Sequence, residues 1–315
     1  MKKTNLFAVL ALAATPAFLH AQTTSYSDVV GYSNYPLTAG QYIFSPTFVK
    51  ASVLQASGSV SSKTISVSGI STSTLAPSSF TDGSPNYPSA YVEVLSGSYS
   101  GVAFDITSVG TSTVTCADFP AELNGQTISF VIRKHVTLAD VFTPSSGLAE
   151  FSDAITLFNS DGSTSIRYLA GGVITTDDFA TPAGHTPIYP GAGVILNIGG
   201  SVTLSLSGQV KPTASKVPVY PGVNNIVGTF NPSSSLKATS TTLATSLGAF
   251  TDSATLYSNN GSFSLQNFIY SDGTSVTDDG FTPYDPATSP TIPSGSGLII
   301  NVPAPSYIVL NSPVN

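Results

Sequence analysis

The chain has 315 residues, 10 basic against 17 acidic side chains and a net charge of −7, with only 9% charged residues where about 25% is ordinary. That balance excludes nucleic acid and anionic lipid as partners, since both require a basic patch. Apolar content of 41% with 14 tyrosines and 17 phenylalanines excludes a disordered stalk, so polarity is carried by hydroxyls, 49 serines and 37 threonines.

Met1-Lys2-Lys3 is a short basic start, Leu6 to Phe18 is an apolar run, and Leu19-His20-Ala21 precedes Gln22 as a cleavage site. The run is too short to span a bilayer, so residues 1–21 are expected to be a secretory signal peptide. Cleavage removes two lysines and no acid, leaving eight basic against 17 acidic groups and a net charge of −9. No later stretch reads as a transmembrane segment, and the expected location is secreted or cell-surface.

The rest alternates with period two and is rich in β-branched residues: Lys63–Ser68, Ala90–Val94, Thr113–Ala117, Ser201–Ser207 and Ser306–Leu310 all read as short strands. Asp161-Gly162, Pro190-Gly191, Asn260-Gly261, Asp272-Gly273 and Asp279-Gly280 mark turns between them, and Gly97–Gly101 reads as a hairpin turn. Thr137–Phe142 and Thr242–Leu247 are the two stretches with helical spacing. Cys116 cannot form an intramolecular disulfide and alternates with its neighbours, so it reads as a buried, inert thiol.

Phe151–Phe158 matches Phe250–Tyr257 at a spacing of 99, Asp161–Ser163 matches Asn260–Ser262 at the same spacing, Thr176–Asp178 matches Thr277–Asp279 at 101, and Gly193–Asn197 matches Gly297–Asn301 at 104. A period near one hundred is domain-sized, which favours sandwiches over a solenoid. Tyr35-Pro36 and Phe44–Pro46 resemble Tyr220-Pro221 and Phe230–Pro232, which places an insertion in the first copy; Phe142–Ser146 resembles Phe230–Ser234 equally well, leaving the left edge of the repeat open. The expected fold class is all-β: tandem β-sandwich-like repeats with an inserted small β unit in the first copy. Residues 22–50 plus 134–211 form the first sandwich, 51–133 the insertion, 212–215 the linker and 216–315 the second sandwich.

The phrases Tyr91–Thr107, Ile132–Phe142, Ala154–Phe158 and Gly193–Leu196 resemble a family of uncharacterised exported Ser/Thr-rich β-proteins of the verrucomicrobial type. The resemblance covers most of the chain after residue 21, implies export, and brings no activity, substrate or catalytic residue.

His135 and His185 are the histidines left after cleavage, and neither stands in a recognisable nucleophile motif; His135 reads as a junction residue of the insertion and His185 as a loop residue. No cluster has zinc-ligand spacing. Asp177-Asp178 and Asp278-Asp279, with Asp272 close to the second pair, can turn toward a calcium ion from a loop or cap their own turns. Tyr32, Tyr35, Tyr42, Tyr87, Tyr91 and Tyr99 offer stacking faces for sugars, or core packing. The expected role is non-enzymatic, with no catalytic residue and no cofactor other than calcium. It is a structural or adhesive protein of the cell surface or matrix that pairs with other copies of itself or with surface glycans; carbohydrate binding is the alternative. The uncharged stretch Ser306–Leu310 can complete a neighbour's sheet or pair within its own unit.

Overall fold

Alternating side chains put one row on each face of a sheet, and burying one row is what holds such a segment as a strand. In the computed structural model, which describes residues 29–68, 70, 75, 84–232 and 235–312, the chain is all-β apart from single helical turns. The expected signal peptide at 1–21 lies outside the described residues.

The chain opens with β1 (Val30–Leu37) and β2 (Gly40–Phe44). It then passes through β3 (Ser52–Ser61), β4 (Thr64–Ser66), β5 (Ala90–Val94), β6 (Ala103–Val109), β7 (Thr113–Cys116) and β8 (Thr127–Lys134). These six close on themselves in the order β3-β4-β7-β6-β5-β8, with β3 antiparallel to both β4 and β8. Closure removes the free edges that a six-stranded open sheet would expose. The interior is filled by its own apolar set, among them Ile65, Val92, Ile106, Val114, Phe130 and Ile132. Cys116 belongs to that core; burial first, and then the nearby Asp105 charge, push its thiol up to about 12.

After the barrel come β9 (Val136–Thr137), α1 (Leu138–Val141), β10 (Ala154–Phe158), β11 (Thr164–Ala170), β12 (Val173–Thr175), β13 (Pro187–Ile188), β14 (Val194–Ile198) and β15 (Val202–Gln209). One sheet runs β12-β11-β10-β14-β2, while β1 pairs with β15 and β9 with β13. Tyr42, Phe44, Ile155, Leu196 and Leu204, from both the five-stranded sheet and the β1–β15 ribbon, share one core with Leu138 and Phe142 of the helical turn. The last stretch holds β16 (Ser215–Val219), β17 (Asn225–Gly228), β18 (Leu236–Lys237), α2 (Leu243–Ser246), β19 (Ser253–Tyr257), β20 (Leu265–Ser271), β21 (Val276–Thr277), β22 (Thr291–Ile292), β23 (Gly297–Asn301) and β24 (Ser306–Leu310). Its sheet runs β21-β20-β19-β23-β17, while β16 pairs with β24 and β18 with β22. The outer faces of the two five-stranded sheets meet through Ile43 and Ile195 against Ile226 and Ile299.

The final strand β24 pairs with β16 of its own chain from Ser215–Leu310 to Val219–Ser306. On its other side the Val309 N–H donates to Ser246 Oγ at 3.1 Å and Thr242 Oγ1 donates to the Val309 carbonyl. Of the two uses open to Ser306–Leu310, the structure shows pairing within its own unit. In the ladders Pro36 stands opposite Thr203 and Pro218 opposite Tyr307.

A buried charge network stands where the barrel, β15 and β16 converge. Glu93 of β5 takes the Lys211 ammonium and the Thr213 hydroxyl on Oε1, the latter at 2.8 Å, and its Oε2 lies 3.9 Å from Arg133 Nε. The Arg133 guanidinium also donates to the Lys50 carbonyl at 2.8 Å and to Gln209 Oε1. Burial depresses the Lys211 pKa against the opposing pull of Glu93. The expected linker 212–215 is anchored at both ends: Lys211 is 1% exposed, and Ser215 already lies in β16.

Candidate functional site

The five aspartates singled out in the sequence all stand in turns at the ends of short strands, in two separate places. Asp178 Oδ1 accepts the N–H groups of Ala180 and Thr181 at 2.8 Å each and the Thr176 hydroxyl at 2.6 Å, while Oδ2 accepts the Thr181 hydroxyl at 2.6 Å. Asp279 Oδ1 accepts the N–H groups of Phe281 and Thr282 at 2.8 and 2.7 Å. Asp272 Oδ1 does the same for Thr274 and Ser275 at 2.7 and 2.6 Å. These donors hold all three carboxyls below the ordinary 3.8, led by the Thr176 hydroxyl for Asp178, the Thr282 N–H for Asp279 and the Ser275 N–H for Asp272. Asp177 and Asp278 are exposed beside them. Among the described residues no three His, Cys, Asp or Glu side chains converge as a metal set. The geometry is that of side chains capping their own backbone.

What these turns hold out is aromatic. Phe179 follows Asp178 and has φ +57°; Phe151, on the turn before β10, has φ +61°. Their ring centroids are 5.5 Å apart, and Tyr168 of β11 lies 4.8 Å from Phe179. The same construction recurs on the other sheet: Phe250 has φ +60°, and its ring lies 5.5 Å from that of Phe281, which follows the Asp279-Gly280 turn. These rings face solvent, Phe151 at 56%, Phe250 at 58% and Phe281 at 74% exposure.

A bulky residue in the left-handed region is a genuine outlier, costing about 1–3 kcal/mol, and persists only where its surroundings over-determine it. The surroundings here are two buried aspartates. Asp153 Oδ2 accepts the Ala149 N–H and Oδ1 the Gly199 N–H, both at 2.8 Å; Asp252 Oδ2 accepts the Gly248 N–H at 2.7 Å. The Phe151 and Phe250 N–H groups donate to the Leu169 and Ser271 carbonyls at 2.9 Å. Each turn is therefore fixed from both ends, and the ring between has no route into the core. Phe151-Ser152-Asp153 and Phe250-Thr251-Asp252 were visible as a repeated phrase, but one-dimensional spacing carries no sign of φ, so the displayed ring and its locking carboxylate were missed.

Most of the tyrosines crowded in the first hundred residues pack in or against a core. Tyr42 and Tyr91 are 2% exposed, and Tyr35 packs edge-on against Phe44 at 5.6 Å. They are core residues because β2 and β5 are covered on both faces. Tyr32 remains exposed, hydrogen-bonded to Asn34 at 2.7 Å.

His135 is buried between the barrel and the Tyr189 loop. Its Nε2 lies 2.9 Å from Asp105 Oδ1, and the Tyr189 hydroxyl donates to Asp105 Oδ2 at 3.1 Å. Its ring packs against those of Tyr91 and Tyr189 at 4.9 and 5.2 Å. Among the described residues Nδ1 has no hydrogen-bond partner, so no described serine or threonine hydroxyl stands where an activated nucleophile would. His185 sits half-buried in the loop before β13. Among the described residues no helix is long and apolar enough to cross a membrane. Compared with family models, curated proteins and solved structures, the chain matches none.

Proposed function

We propose that the chain is an exported, non-enzymatic structural or adhesive protein of the cell surface or extracellular matrix, built as two tandem β-sandwich units with the barrel inserted in the first. The equal strand orders β12-β11-β10-β14-β2 and β21-β20-β19-β23-β17 support the tandem arrangement. So does the constant offset of 104 between Thr203 and Tyr307, the ladder partners of Pro36 and Pro218.

The observation that carries the adhesive role is the pair of solvent-facing aromatic displays, Phe151 with Phe179 and Phe250 with Phe281. Keeping large apolar rings exposed on strained backbone opposes stability, and a monomer with no contact to make has no use for it. Two such displays on one chain bind an extended surface with avidity greater than either alone.

The test replaces both strained rings by asparagine, which tolerates positive φ. Phe151→Asn with Phe250→Asn is expected to melt at or above the parent temperature and to lose most attachment to cells, matrix or its own copies. Unchanged attachment and self-association in sedimentation would sink the adhesive reading. A glycan array run on the same two proteins separates carbohydrate stacking from apolar contact: sugar binding that disappears with the rings would move the role to glycan recognition.

A further inference from the structure

The two five-stranded sheets do not enclose equally filled interiors. In the first, Tyr35, Phe44 and Phe142 form a chain of edge-on rings with centroids 5.6 and 6.1 Å apart. The ladders place Tyr35 opposite Leu204 and Val217 opposite Ile308, and Phe44 opposite Val194 and Val227 opposite Leu298, in both cases across the same offset of 104. Phe142 caps α1 by donating its N–H to Leu138, as Leu247 caps α2 by donating to Leu243. Ile155 opposite Leu196 becomes Ala254 opposite Ile300. At four core positions the second interior thus carries Val, Val, Leu and Ala where the first carries Tyr, Phe, Phe and Ile.

Close-packed interiors do not tolerate such deletions without collapse or a void. Here a cleft of about 360 Å³ is present, walled by Val227, Thr229, Phe230, Leu243, Leu298 and Leu310 among others, with Val227 at the place of Phe44. Its volume is at the lower end of small-molecule sites. Among the described residues, no charged residue or histidine lines it; beside the apolar side chains stand uncharged polar ones, among them Asn231, Ser240, Thr241 and Asn311.

We infer that this cleft is a binding site for an uncharged amphiphile, an aliphatic or aromatic chain bearing one hydroxyl or carbonyl oxygen. The apolar part of the wall takes the chain and the uncharged polar part its oxygen, while a lining without cation or anion among the described residues selects against ionised carboxylates and amines, which would be desolvated without a counter-charge. The comparison of the two interiors rests on the tandem reading above; the cleft does not. The site is separate from the aromatic displays, so one role can fail without the other.

The uncharged fluorophore N-phenyl-1-naphthylamine serves as the probe, with 1-decanol and decanoate at neutral pH as competitors. Probe binding to the full chain is expected, displaced by 1-decanol at a concentration at least tenfold below that of decanoate. Val227→Phe, which places there the residue found at Phe44, should abolish binding while leaving the melt unchanged or higher. Phe151→Asn with Phe250→Asn should bind the probe like the parent. In the unmodified chain, 1-decanol should shift the amide resonances of residues 227–230 and Leu310, a readout that holds even if Val227→Phe does not fold. Equal displacement by decanoate, or resonance shifts confined to the barrel or to the exposed phenylalanines, would overturn the assignment.

Discussion

Lys211 and Glu93 are 118 residues apart in sequence and make direct contact in the fold, each 1% exposed at the side chain. A buried pair of this kind contributes little net stability relative to apolar residues, but removing one member leaves the other charged and unpaired. Lys211→Met keeps the stem and deletes the ammonium, leaving Glu93 with the Thr213 hydroxyl and an Arg133 Nε at 3.9 Å. The expected loss is about 3 kcal/mol in urea unfolding with the slope unchanged. Adding Glu93→Gln should recover at least about 1 kcal/mol of that loss, because the two sites are coupled. Purely additive costs would mean that the contact is not formed in solution. One carboxylate, one guanidinium and one ammonium tie three chain segments at a point where hydroxyls alone give no preference among partners.

Strand contacts between the two five-stranded sheets depend on backbone approach as much as on the four isoleucines. The Gln41 N–H donates to the Gly261 carbonyl at 3.0 Å, and a Cβ at Gly261 would stand 2.8 Å from the Ala39 carbonyl and 2.9 Å from the Tyr42 hydroxyl. Gly261 also has φ +85°, so alanine there meets both strain and a clash. Gly97, with φ +71° and nothing within 4 Å of its Cβ position, isolates the strain alone. Gly97→Ala should cost about 1 kcal/mol, and Gly261→Ala at least about 1 kcal/mol more. Thermal melts of the two variants measure the difference, and equal costs would show that the sheets do not approach as closely as 3.0 Å at this hairpin. At the same scale, the Asp-Gly and Asn-Gly turns are hairpin corners, with Gly162, Gly261 and Gly273 all at positive φ as such turns require.

Residues 212–315 contain a core in which Val217, Leu256, Ile269, Leu298 and Ile308 pack together, and all but Val49 of that core comes from this stretch. Expressed alone, they are expected to give β-type circular dichroism and a cooperative melt. The fragment loses the cover that Ile43 and Ile195 give to Ile226 and Ile299, now 5% and 9% exposed. It should therefore be less stable than the full chain by about 3 kcal/mol and should self-associate through that face. Ile226→Lys should return it to a monomer in sedimentation equilibrium without loss of the β spectrum. A molten product across several start points would show that the second sheet needs the first to fold.

Much of this protein is legible locally. Ala90–Val94 and Ser306–Leu310 are strands over the whole of the stretches that their alternation marks, and Leu138–Val141 and Leu243–Ser246 are the two short helices that broke it. Cys116 is buried because its row of the strand faces inward. These features depend on neighbours within a few residues, which a pattern can report. Barrel closure, the convergence of Glu93, Arg133 and Lys211, and the positive φ of Phe151 and Phe250 depend on which distant segments meet. No period in the sequence encodes that. The aspartates show the boundary best: residue type marked Asp178 and Asp279 as turn or metal candidates alike, and only the donors around each carboxylate assigned them to their turns. The cleft beside Val227 is a tertiary fact as well, since β17, β23 and β24, distant in sequence, meet to wall it.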